Sequence, residues 1–150
     1  MKAYYYLLEQ LQEELLSIPL VTNVTQGNLD DIDNYKQTMF PLCHIIVNSA
    51  SPENNILRFN VSILAMDIVD ISKTETTDKF IGNDNEIDVL NTQMITLLRL
   101  YEVLNRGSLN DRMEVSGFPT MEQFTERFEN YLAGWTMTLD IIMPNEMSIC

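Results

Sequence analysis

His44, the single histidine of the chain, lies in the run Pro41-Leu-Cys-His-Ile-Ile-Val-Asn48. An imidazole can act as a general base or a metal ligand, but a base needs an orienting acid and a nucleophile within hydrogen-bond reach. Nothing in the run supplies either. Pairing with Cys43 fails on geometry, because adjacent strand residues point to opposite faces. His44 is therefore expected as a hydrogen-bonded core or interface residue. The second thiol, Cys150, stands too far along the chain to make a zinc spacing or a disulfide framework with Cys43, so both are expected as reduced thiols.

The acidic run Asn28-Leu-Asp-Asp-Ile-Asp-Asn34, with Asp31 and Asp33 in alternation, resembles the start of a calcium loop. It lacks the turn glycine, and the position of the bidentate Glu is taken by Leu42, so a solvated acidic loop is expected. Asp84, Glu86 and Asp88 fall where a helix should begin, and acids there complement the helix dipole without any metal. The 5 glycines are dispersed, with no phosphate loop, nucleophile elbow or Cys-x-x-Cys pair. The residues thus point away from an enzyme, and no catalytic, cofactor-binding or metal site is expected.

Composition narrows the partners. Twenty-two acids against 9 basic residues leave a net charge of −13, and the basic residues form no cluster. Tight binding to phosphate backbones or anionic membranes is disfavoured, since both require grouped Lys and Arg. No stretch approaches the ~18 apolar residues that span a bilayer, and Glu9, Glu13 and Glu14 interrupt the first apolar run, so no signal peptide is expected and the chain should work in a reducing cytoplasm. A hydrophobic fraction of 45% in 150 residues suits one folded domain spanning residues 1–150.

The elements that must position these residues follow from periodicity. Tyr4, Leu8, Leu11, Leu15 and Ile18 predict a helix over 4–18, stopped by Pro19. Short strands are expected at 21–25 and 112–116, longer ones at 41–48 and 56–71 with a hairpin link between them, and polar loops at 28–38 and 72–82. Ile87, Leu90, Met94, Leu97, Tyr101 and Leu104 predict the buried stripe of a long helix over 83–107, closed by Gly107. Thr120-Met-Glu-Gln123 has the form of a capping box opening a third helix with Phe124, Phe128 and Leu132 on one side and a stop at Gly134. Trp135, Met137, Leu139 and Ile141 then alternate with Thr136, Thr138 and Asp140 as a half-buried strand, with Trp135 expected to anchor it against the long helix. The order predicts an α+β fold: a mixed or antiparallel sheet of about four strands with helices packed on one face. Ile46, Leu64, Met66 and Ile68 would lie on the other face, and something else should bury them.

The last third, FPTMEQFTERFENYLAGWTMTLDIIMPNEMSIC, with Arg127, Ala133-Gly134-Trp135 and Cys150, together with the order of elements before it, resembles the tail-completion, tail-terminator and head–tail joining proteins of tailed bacteriophages, the crAss-like group in particular. That resemblance implies a structural virion protein, assembled in the host cytoplasm, forming a hexameric or dodecameric ring stacked on portal, connector or tail-tube proteins. DNA would pass through its lumen without specific binding, kept off by the acidic charge. Leu64, Met66 and Ile68, with Lys73, Thr77 and Phe80 of the second polar loop, would then form the subunit interface. The alternative is a small acidic cytoplasmic binding, adaptor or chaperone module using the same apolar face.

Overall fold

The structure, a computed structural model, describes residues 3–27, 40–69, 86–106, 113–127 and 132–144. The first helix, α1 (Ala3–Leu16), carries no acid in its first turn and no base in its last. Packing rather than capping must hold it. Its buried stripe is Leu7, Leu11 and Leu15, continued by Ile18, so the predicted face holds at Leu11, Leu15 and Ile18, while in the first turns Leu7 takes the buried place expected of Tyr4 and Leu8 and leaves Tyr4 half exposed, its ring tilted against Phe59 at 6.5 Å. After β1 (Asn23–Gln26) come β2 (Leu42–Glu53) and β3 (Ile56–Ile68), joined by the two-residue turn Asn54–Asn55. Asn55 takes the left-handed φ of 63°, which asparagine tolerates better than most residues. The expected hairpin link is thus mostly strand. Pro52, which has no N–H to give a ladder, is accommodated because β1 stops opposite Ile45 and leaves that part of β2 at the sheet edge.

The long helix α2 (Glu86–Arg106) buries Val89, Gln93, Thr96, Leu97, Leu100 and Leu104. Its stripe is offset from the predicted one: Ile87, Leu90, Met94 and Tyr101 are only partly buried. The final elements are β4 (Glu114–Arg127) and β5 (Leu132–Pro144). The predicted third helix is therefore corrected: 120–127 and 132–133 are strand, and Phe128 lies outside the described residues. Thr120, Met121, Glu122 and Gln123 pair with Thr138, Met137, Thr136 and Trp135 of β5. Thr and Phe favour strands over helices, and a 13-residue β5 offers a full ladder that a four-residue capping signal cannot outweigh.

The five strands form one mixed sheet in the order β1-β2-β3-β5-β4, with β1 parallel to β2 and every other pair antiparallel. Both helices pack on one face, the α+β arrangement. There Leu7, Leu11 and Leu15 of α1 and Leu97, Leu100 and Leu104 of α2 meet Ile45, Val61, Ile63, Met137, Leu139 and Ile141. Cross-strand register places Cys43, Ala65 and Trp135 in one row of that face, and Trp135 Nε1 donates to the Leu90 carbonyl of α2 at 2.9 Å. Gly134, expected as a helix stop, instead lies inside β5. A Cβ there would stand 1.9 Å from the Ala65 carbonyl oxygen and 2.9 Å from Met66 Cα, so only glycine lets β5 and β3 approach this closely.

Candidate interaction surface

The opposite face of the sheet is divided into two halves. At one end Leu42, Met66, Gly134 and Phe124 form a cross-strand row, and Phe40, Leu64 and Leu132 join it in a second apolar cluster flanked by Ile46 and Ile68. Leu64 is 2% exposed and Met66 0%. Their predicted role as surface residues of a subunit interface is corrected: they are already buried within one chain, and Ile68 is partly buried beside them. The strand alternation does put Leu64 and Met66 on this face, and Phe124, a strand residue rather than the helix residue expected, covers them. Lys73, Thr77 and Phe80 lie outside the described residues, as do the 28–38 and 72–82 loops, Asp31, Asp33, Asp84, Gly107, Phe128 and Cys150.

At the other end the same face is polar and closed on itself. Asn48 Nδ2 donates to Asn60 Oδ1 and to Ser62 Oγ, each at 2.9 Å, and Asn60 Nδ2 donates to Asp140 Oδ1 at 2.9 Å. Ser62 and Thr138 hydroxyls lie 3.1 Å apart. Arg58 donates to Ser116 Oγ at 2.8 Å and to Glu53 Oε1 at 3.0 Å, and the Glu53 carboxylate raises the guanidinium pKa further. Such a ladder spends its donors and acceptors on its own strands. Among the described residues these bonds run from strand to strand within the sheet.

His44 is fully buried. Its Nε2 lies 3.0 Å from the Gly27 carbonyl and its Nδ1 2.7 Å from Thr25 Oγ1. A carbonyl can only accept, so Nε2 carries the proton; in the neutral ring Nδ1 then accepts from the threonine hydroxyl. The imidazole fastens the end of β1 to β2 and presents no base to solvent. Cys43, on the helix-covered face, has its thiol pushed up to about 12 by burial, which keeps it un-ionised and unreactive. Among the described residues no group of three His, Cys, Asp or Glu could hold a metal, and no helix is long and apolar enough to cross a membrane.

What remains open is the sheet's two edges. Among the described residues β1 and β4 each have a partner on one side only. β1 is short and uncharged, Asn23-Val-Thr-Gln26. Between it and α1 runs a shallow groove of about 80 Å³, open to solvent and lined by Leu8, Gln12, Val24, Thr25, Gln26 and Ile45. β4 is 14 residues long and interrupted: its register jumps between Ser116 and Thr120, which face Asp140 and Thr138. The surplus residues carry Gly117 at φ +71° and Phe118 at 95% exposure, well above the next most exposed large apolar side chain among the described residues, Tyr5 at 67%. The sequence did hold a signal for this. Gly and Pro on either side of one residue mark a bulge on an edge strand, since proline cannot serve a central ladder; the signal has meaning only once the residues from Thr120 onward are strand rather than helix. No protein-family model matches the chain, and no curated protein matches it.

Proposed function

We propose that the chain is a structural subunit that adds head to tail to copies of itself, forming the ring of a tail terminator or head–tail connector in a tailed-bacteriophage virion. The observation that carries the self-assembly is the polarity of the sheet. With β1 parallel to β2 and the remaining neighbours antiparallel, β4 runs opposite to β1. A second copy in the same orientation can therefore bring its β1 beside the first copy's β4 as an antiparallel pair, with helices on the same side in both. Contacts between two different surfaces of identical subunits close into a ring when the rotation between copies permits.

The virion setting is supported by the resemblance of the last third of the chain, where Ala133-Gly134-Trp135 opens β5, and by the net charge of −13, which keeps DNA from adhering to the wall of a channel. In this reading the neighbours are portal, connector or tail-tube proteins, and the chain performs no catalysis. Light scattering on the purified chain tests it. A discrete species of six or twelve copies, with no retention of duplex DNA at physiological salt, is the expected result. A monomer or dimer at every concentration would move the chain to the class of acidic adaptor modules.

A further inference from the structure

We propose that Phe118 is the anchor by which one copy of the chain holds the next, its ring seated in the neighbouring copy's groove between α1 and β1; this rests on the head-to-tail reading above. A phenylalanine exposed at 95% makes almost no contact with its own chain, so it contributes little to the fold that carries it. Its support is nevertheless built. Gly117 supplies the left-handed turn with no atom within 4 Å of where a Cβ would be, and Pro119 restrains the backbone on the other side. An aromatic ring on a tip restrained in this way loses little freedom on docking, as is usual for residues that dominate an interface.

Three observations select a second copy as the occupant's host. The groove lies at β1, the opposite end of the sheet from β4, as a head-to-tail contact requires. The two edge strands run antiparallel, a polarity in which the backbones of neighbouring copies can pair beside the anchor. The groove's six lining residues carry no charge, whereas β4 presents exposed Glu114 and Glu122 beside the tip. The floor of the groove, though bordered on α1 by exposed Glu9 and Glu13, thus offers the tip of an acidic strand an uncharged seat.

The test uses the full-length chain and two variants that damage opposite ends of the contact. Phe118→Ala removes the ring and keeps the groove; Gln12→Trp fills the groove from an exposed position and keeps the ring. Each variant alone should run as a monomer at concentrations where the native chain forms rings, with its melting temperature unchanged. Mixed one to one they should form a dimer, because one intact ring then meets one intact groove. Rings from Phe118→Ala overturn the role of Phe118, and rings from Gln12→Trp or a mixture that stays monomeric overturn the choice of groove, while in each case the head-to-tail reading stands. A native chain that never assembles overturns that reading and the anchor with it.

Discussion

The two faces of the sheet are built from the same alternation and end in different states. On the helix-covered face, strand residues meet two leucine stripes from α1 and α2 in one large cluster that extends along the strands. On the other face a small cluster around Phe40, Leu64, Met66 and Phe124 gives way to the hydrogen-bonded ladder of Asn48, Asn60, Ser62, Thr138 and Asp140. A helix brings a row of side chains to the sheet at once, so its face can be apolar throughout. A face without helices can be apolar only where individual residues fold over it, and elsewhere must satisfy its polar groups within its own plane.

The most damaging change should be at Gly134, where both faces depend on the close approach of β5 to β3. Gly134→Ala drives a Cβ into the Ala65 carbonyl, and a loss above about 4 kcal/mol is expected, read as insoluble protein or a collapsed melting transition. Next come paired truncations, Leu97→Ala beneath α2 and Met66→Ala in the small cluster, both fully buried. Each should cost about 2–5 kcal/mol by denaturant titration. A cost near zero at Met66 would show that the second cluster is not a core.

Smaller effects refine the contrast. Gln93 is a flaw in the better-packed face: it is 1% exposed and its Nε2 has no hydrogen-bond partner. Gln93→Leu should therefore raise stability by about 1–3 kcal/mol, the desolvation cost of an unpaired amide group. Asn60→Ala should cost about 1 kcal/mol, with double-mutant coupling to Asp140 but not to Leu97. Asp67 has its carboxyl raised above 3.8 by burial, partly offset by the bond from the Ile68 amide at 2.8 Å. A raised acid favours the folded state below its unfolded value and loses that contribution as pH rises through the folded value. Asp67→Asn should thus stabilise at neutral pH by less than about 1 kcal/mol, solvent screening included, with the gain fading below about pH 3.8.

The parts that could be read in the sequence are those where one local pattern met no competitor. Pro19 and the leucines of α1, the hairpin of β2 and β3, the length of α2 and the alternation of β5 all set their own periods. Helix rotation was harder, because Val89 and Gln93 are buried by what lies beneath them rather than by their own polarity. The 120–127 segment is legible only in company: its capping box is a real local preference, defeated by a strand 13 residues long that needs a partner. Alternation places Leu64 and Met66 on the face away from the helices, but which residues fold over a sheet face is a tertiary fact that alternation does not carry. Phe118 stood in plain view between Gly117 and Pro119, and it took the strand assignment to give that spacing a meaning.

The central position of β3 sets a schedule for making the protein. Its ladder with β2 closes across a two-residue turn, whereas its other ladder waits for β5, with Asn60 bonded to a residue 80 positions later. At roughly 5–20 residues per second, a growing chain holds the free side of β3, including Val61, Ile63 and Leu64, unpaired for several seconds. Long-range pairing of this kind folds slowly and exposes sticky edges on the way. Crowding among nascent chains is therefore a hazard to this protein, because synthesis that stalls before residue 132 leaves the far edge of β3 without β5 and open to the hairpins of other copies.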